Sequence, residues 1–134
     1  MDGHLDERGQ PVISIRLAGS TQPVTFLIDT GFDGEILRYE DQLSRAGIPL
    51  TYENMTRARL ADGSEATLFI ATAGVEWHGD PRQISIDVIP RAAPPSAWGL
   101  LGCGLLRDSR LAIDFPAGIV EVLRQSAPQG AASQ

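Results

Sequence analysis

Short apolar runs alternate with turn-forming residues along most of the chain. Ile13, Ile15 and Leu17 are separated by polar residues, which is the two-residue period of a half-buried strand. Val24–Ile28 follows as a β-branched and aromatic run. The two segments predict a hairpin whose second strand is buried on both faces.

The strongest hairpin signal lies further along, where residues 55–61 and 66–71 flank Asp62-Gly63. An Asp-Gly pair favours a type I′ turn, because both central residues of that turn need a positive φ. Further strands are predicted at residues 36–37, 74–77, 83–89, 111–115 and 119–123.

Helical signals are few. Residues 39–46 predict one short helix, which Gly47 ends, and residues 105–107 predict another. We expect a flexible lead-in over residues 1–10, one domain over 11–124 and a disordered tail over 125–134. Many short strands with frequent turns indicate an all-β domain, closed or sandwich-like.

Composition narrows the choice of partners. Acidic residues number 17 and basic residues 11, so the net charge of −6 argues against nucleic acid or an anionic membrane as a partner. All the basic residues are Arg, which excludes mechanisms that need a lysine, such as a Schiff base. With one cysteine and two separated histidines the chain offers no zinc cluster, and we expect no metal.

The first residues are polar and acidic, and nowhere does the chain approach about 18 uninterrupted apolar residues. From these two features we expect a soluble, cytoplasmic protein.

Asp29-Thr30-Gly31 is the segment that points to chemistry. It follows Phe26-Leu27-Ile28, so an apolar strand ends directly in a carboxylate, a hydroxyl and a glycine. A carboxylate next to core residues is typical of catalytic sites, and glycine leaves its approach open. The same three residues also suit an ordinary turn.

In its wider context this segment resembles the retropepsin-like aspartic proteases, and particularly their small microbial members. The similarity rests on residues 26–31, on residues 32–37 after the triplet, on residues 60–64 at the place of the flap hairpin, and on Gly99-Leu100-Leu101-Gly102 before Leu105-Leu106. One position departs from the family: Gly104 stands where an Asp or Asn is common, which puts the rigidity of that segment in doubt.

The resemblance implies a closed β-barrel of the retropepsin-like type with one or two short helices. It also implies an aspartic endopeptidase without a cofactor, whose substrate is a peptide or protein in extended conformation. The chain has one such triplet, so the two carboxylates of this chemistry require a homodimer. The implied site is catalytic Asp29, Thr30 and Gly31, with substrate-binding Leu60, Ala61, Asp62, Gly63, Ile36 and Leu100.

Two other functions stay open at this point. The chain could keep the fold and the dimer as a non-catalytic interaction module, or it could be a small-ligand β-barrel in which Asp29 is only a turn residue. By analogy with relatives whose terminal strands interleave, Ile119, Val120 and Val122 are expected at the dimer interface.

Overall fold

The computed structural model describes residues 1–48, 51–59, 62–95 and 97–125. Apart from Gln125, the predicted tail lies outside them. Within these ranges the elements are β1 (Asp2–Leu5), β2 (Pro11–Ile15), β3 (Val24–Ile28), β4 (Ile36–Tyr39), α1 (Glu40–Ala46), β5 (Thr51–Arg59), β6 (Glu65–Trp77), β7 (Asp80–Ile89), β8 (Gly99–Leu101), α2 (Cys103–Leu106), β9 (Ser109–Asp114) and β10 (Ile119–Arg124).

All the strands join one sheet in the order β5-β6-β7-β4-β8-β3-β2-β1-β10-β9. The prediction of a mainly β protein with two short helices is therefore confirmed. A closed barrel is not confirmed, because pairing among the described residues leaves β5 and β9 as the ends of the sheet.

The core is one cluster of buried apolar side chains contributed by most of the strands and by both helices. The predicted β2–β3 hairpin is present, with Ile13 paired to Phe26, and the side chains of Ile13, Ile15 and Leu17 are buried as expected. β3 alternates between buried and half-buried positions, so the expectation of burial on both its faces is wrong. Its half-buried face carries Leu27 and, one step past the strand, Asp29.

Residues 2–5 form a strand where we expected a flexible lead-in. β1 lies between β2 and β10, with Gly3 opposite Val120 in the register. A Cβ atom on Gly3 would lie 2.3 Å from the carbonyl oxygen of Val12. The backbones thus approach closely, and pairing on both sides orders a segment with few apolar residues.

β6 is one strand of 13 residues, whereas the sequence predicted two separate strands. Gly74 does not interrupt it, since the backbone there lies against Ala18, whose N–H donates to the Gly74 carbonyl oxygen at 2.9 Å. The next turn has positive φ at both His78 and Gly79, between the paired residues Trp77 and Asp80. That two-residue loop has the φ signs of a type I′ turn.

The last hairpin, β9–β10, is formed as predicted. Val120 and Val122 are buried in the core of their own chain, so their side chains are not free to form a dimer interface. The outward apolar side chains of this hairpin are Phe115, Ile119 and Leu123.

Candidate active site

The candidate site is built where β3 ends. β8 lies between β3 and β4, parallel to the first and antiparallel to the second. Leu101 is therefore opposite both Ile28 and Ile36, and the loop of residues 29–35 must cross the end of β8. Two segments that are distant in sequence meet at this crossing.

Backbone hydrogen bonds hold Asp29 in place. Its N–H donates to the carbonyl oxygen of Leu101 at 2.9 Å, and its carbonyl oxygen accepts the N–H of Phe32 at 3.1 Å. Its carboxylate Oδ1 accepts the N–H of Gly31 at 2.9 Å. The carboxyl group is thus oriented by the turn that follows it, and it is half-buried while Thr30 and Gly31 are exposed.

Residues 102–104 fasten the loop from the other side. Three successive N–H groups, of Gly102, Cys103 and Gly104, donate at 2.8 to 2.9 Å to carbonyl oxygens of residues 35, 32 and 34 respectively. The Cys103 thiol donates to the carbonyl oxygen of Thr30 at 3.1 Å. The cysteine thus packs in a turn against the triplet, as its sequence context indicates.

The glycines at 102 and 104 allow this close approach. A Cβ atom on Gly102 would lie 2.4 Å from the carbonyl oxygen of Gly34, and one on Gly104 would lie 2.8 Å from the same atom. Both distances are shorter than a Cβ atom can approach a backbone carbonyl oxygen, so a side chain at either position would force the backbone to shift. Gly104, the departure from the family pattern, therefore accommodates a tight contact between the two segments.

An apolar floor extends from Asp29 across three strands. Leu100 is opposite Leu27 on one side and Leu37 on the other, and all three side chains are half-buried. Alternate residues of a strand share a face, so Leu27 lies on the face of Asp29. Of these three, sequence reasoning found only Leu100; the alternation that leads back from Asp29 would have indicated Leu27.

Ile36 is placed differently from the prediction. Its side chain has 0% exposure and packs in the central core. In this structure it supports the floor from below instead of lining a surface pocket.

The predicted flap corresponds to the long β5–β6 hairpin. Leu60 and Ala61 lie outside the described residues. The last described pair of the two arms is Arg59 with Glu65, a register centred on Asp62, which does not fit the predicted two-residue type I′ turn centred between Asp62 and Gly63. The carboxylate of Asp62 accepts two hydrogen bonds from Ser64, one from its backbone N–H at 2.9 Å and one from its side-chain hydroxyl at 2.5 Å. These hydrogen bonds lower the pKa of the Asp62 carboxyl. Gly63 has a φ of 87°, which suits a glycine at the tip.

A further carboxyl group, that of Asp87, lies near the floor. Asp87 of β7 is opposite Leu37, and burial raises the pKa of its carboxyl, with a further contribution from the negative charge of Asp33. The sequence predicted an outward-facing strand residue at Asp87, and the side chain is half-buried.

Within the described ranges, His, Cys, Asp and Glu side chains nowhere gather in threes to form a set that could hold a metal ion. Helices of the described residues are all too short or too polar to cross a membrane.

No family model matches the sequence, and a search of curated proteins found none with significant similarity. Solved structures do match. The chain is similar to a retropepsin-like aspartic protease from Rickettsia conorii, with a TM-score of 0.63 and 19% identity over 91% of this chain and 88% of that one.

It is also similar to EIAV protease in complex with the inhibitor HBY-793, with a TM-score of 0.60 and 16% identity over 77% of this chain and 90% of that one. At such low identities the similarity concerns the fold. The resemblance drawn from the sequence is confirmed at that level: the chain has the retropepsin-like fold.

Proposed function

We propose that the protein is an aspartic endopeptidase that works as a homodimer, with one Asp29 from each chain. The observation that carries this proposal is the position of Asp29. It follows an apolar strand of a retropepsin-like fold and is held by Leu101 and Gly31 so that its carboxylate lies on the exposed side of the sheet.

The chemistry needs two carboxyl groups that share one proton. Two carboxylates about 3 Å apart do not both ionise, so one Asp29 is protonated while its mate is charged. The charged group takes a proton from a water molecule held between them, and the water oxygen bonds to the scissile carbonyl carbon. The protonated group donates its proton to the carbonyl oxygen.

The resulting tetrahedral intermediate breaks its C–N bond. The amide nitrogen receives a proton from one Asp29 and leaves as an amine, while a hydroxyl of the intermediate gives its proton to the other Asp29 and becomes the carbonyl group of the carboxylic acid product. The dyad is thereby singly protonated again, and no cofactor takes part in the step.

A two-fold axis supplies the second carboxyl group, because the chain carries one Asp-Thr-Gly triplet. Thr30 is proposed to hydrogen-bond across this axis beneath the carboxyl groups, and Gly31 to contact substrate through its backbone. Both residues are exposed in the single chain, as a role between chains requires.

The substrate is proposed to be a polypeptide in extended conformation. The β5–β6 hairpin around Asp62 and Gly63, with Leu60 and Ala61, would close over it and pair with its backbone. The floor of Leu27, Leu37 and Leu100 favours apolar side chains next to the cleaved bond, because it offers apolar surface beside Asp29.

Substitution Asp29→Asn tests the assignment. The amide keeps the size and can still accept the Gly31 N–H, but it cannot share the proton. We expect peptide cleavage to fall by about 10²- to 10⁴-fold or more, with fold and association retained. The measurement is cleavage of a peptide library by the purified chain, with and without a statine-type transition-state mimic.

Asp114→Asn is the matched control, because the carboxylate of Asp114 also accepts a backbone N–H of a residue that follows it closely in sequence, that of Ala117 at 3.1 Å. It should cleave at the wild-type rate. Equal rates for Asp29→Asn and wild type would disprove the dyad. If the wild-type dimer cleaves no peptide at all, the non-catalytic interaction module is the better description.

A further inference from the structure

A cavity of about 460 Å³ opens at the start of β3, whereas Asp29 follows the other end of that strand. It lies between the loop of residues 20–23, helix α1 and the segment before β8. The residues that matter here are Thr21, Thr25, Arg38, Gln42, Arg45 and Trp98.

Arg38 forms the inner wall of this cavity. Its guanidinium carbon lies 4.9 Å from the ring centre of Phe26, and Nη1 donates to the carbonyl oxygen of Thr25 at 3.0 Å. Its Nε atom is buried and has no hydrogen-bond partner among the described residues. A guanidinium has five donor hydrogens, so most of its capacity is unused within the described chain.

No carboxylate of the described residues lies within 4.0 Å of this guanidinium, although the chain as a whole is acidic. Asp41 acts on Arg38 only from a distance, since it is engaged by Arg45 at 3.8 Å and by the N–H of Ala93 at 3.1 Å. Burial lowers the pKa of Arg38 to about 10, partly offset by Asp41. A desolvated cation without a paired anion is costly, and an anion in the cavity would relieve that cost.

The other walls indicate the remaining chemistry of the ligand. Trp98 lines the cavity and is 41% exposed, and because its indole N–H already donates to Asp6 at 3.0 Å, the apolar part of its ring is what remains for a ligand. Gln42 Oε1 is buried without a partner among the described residues, so it would accept a hydrogen bond from a hydroxyl or N–H group. A volume of this size holds a small organic molecule and exceeds that needed for an inorganic ion.

We propose that this cavity binds a small organic oxyanion, a carboxylate or phosphate on a planar apolar body, with the anion at Arg38 and the body against Trp98. Arg45 at the rim adds a second positive charge. The proposal is independent of the protease assignment, since it uses no residue of the Asp29 site.

The two tryptophans of the chain provide the readout. Trp98 lines the cavity, whereas Trp77 is 1% exposed in the core and serves as an internal control. Benzoate and phenyl phosphate are the probes, and benzamide is the neutral analogue of benzoate. Indole N–H signals are followed by NMR during titration of each probe into the full chain.

We expect the Trp98 signal to shift in a saturable way with a Kd of roughly 1 mM, with little change at Trp77. Benzamide should bind at least about tenfold more weakly, which corresponds to about 1.4 kcal/mol. A response to benzoate alone assigns a carboxylate ligand, a response to phenyl phosphate alone assigns a phosphate ligand, and a response to both supports the shared oxyanion chemistry.

Variants separate this cavity from the neighbouring surface of Trp98. Arg38→Gln should abolish saturation and Arg38→Lys should restore part of it, while Arg110→Gln, on the exposed face of β9, should bind as wild type. Arg45→Gln keeps folding intact, because its side chain is 81% exposed, and should weaken binding about two- to threefold. An absent Trp98 response at about 10 mM probe, an equal response to benzamide, or unchanged binding in both the Arg38→Gln and Arg45→Gln variants would overturn the proposal.

Discussion

At the scale of single residues, the candidate active site depends on positions that have no side chain. Gly102 and Gly104 let the backbone of residues 102–104 contact the loop of residues 29–35, and three hydrogen bonds then fix that loop. A side chain at either position would push the two segments apart, and Asp29 belongs to the segment that would move.

Gly104→Asn, which introduces a residue common at the corresponding position of the retropepsin-like proteases that the sequence resembles, should therefore destabilise this protein. We expect a loss of about 1–3 kcal/mol in the free energy of unfolding, together with reduced peptide cleavage. Gly104→Ala should cost about as much, because the clash arises at the Cβ atom. Denaturant unfolding of both variants measures the loss.

Gly118→Ala is the control for backbone strain alone. Gly118 has a φ of 70° and open space where a Cβ atom would be, so the alanine should cost only about 1–2 kcal/mol and leave cleavage unchanged. If Gly104→Ala is as stable and as active as the wild-type protein, the close-packing explanation is wrong.

Local pattern was enough to point to Asp29-Thr30-Gly31, because a strand end, a carboxylate and a glycine are adjacent in sequence, and its role as the catalytic site stays a prediction. Local pattern was not enough for Gly104. The reason that this position must be a glycine is its contact with the backbone of Gly34, which is distant in sequence. Ile36 shows the same limit, since its position next to the site in sequence did not reveal that its side chain enters the core.

At the scale of elements, the long β5–β6 hairpin is the part expected to move during turnover. Its arms are paired from Thr51 with Thr72 to Arg59 with Glu65, and many side chains near its tip are exposed. Few buried contacts hold such a hairpin, so its tip is suited to opening and closing over a substrate.

Gly63→Val should therefore impair catalysis more than stability. A valine at a φ of 87° is strained, and strain of about 1.4 kcal/mol in the closed hairpin would lower kcat/KM about tenfold. Initial rates of peptide cleavage and the thermal midpoint are measured on the same preparation.

Gly79→Val is a close match for it, because Gly79 has a φ of 83° and the same open space where a Cβ atom would be, but lies in the β6–β7 turn. Its kinetics should stay at the wild-type level. Equal losses of kcat/KM in the two variants would argue against a special role for the β5–β6 hairpin.

Elements also show how far sequence patterns reach. The helix that ends at Gly47 and the hairpins with strong alternation were predicted correctly. β1 was not, because its four residues carry little apolar pattern and are ordered by strands that come later in the chain. Likewise, Gly74 led to the prediction of a break in β6. The strand is continuous there, and Gly74 contacts Ala18 through a backbone hydrogen bond.

At the scale of the whole molecule, activity is proposed to require two chains. Phe115, Ile119 and Leu123 expose 58%, 47% and 43% of their surface on the terminal hairpin, whose outer strand β9 is an end of the sheet as far as the described residues go. Exposed apolar side chains next to an unpaired strand edge favour association with a second copy. We therefore place the interface on these outward residues and not on Val120 and Val122.

Mixing wild-type chains with an equal amount of Asp29→Asn chains should leave about a quarter of the pairs with two Asp29 residues, if the chains exchange freely. Activity should then fall to about half of that measured for the same wild-type chains alone. The double variant Asp29→Asn with Leu123→Asp should not lower it, because the added charge prevents pairing. Rates across a dilution series, together with sedimentation, complete the test, and a fully active monomer would exclude the mechanism.

The insertion of β8 between β3 and β4 also affects the order of folding. A ribosome produces Asp29 about 70 residues before the segment of residues 99–104, which supplies the strand that holds Asp29 and the glycines that contact its loop. Contacts this distant in sequence form slowly, since a long loop must close first. Between the synthesis of residue 29 and that of residue 104, a nascent chain therefore carries Asp29-Thr30-Gly31 without the segments that hold it, and the proposed protease would be inactive over that interval.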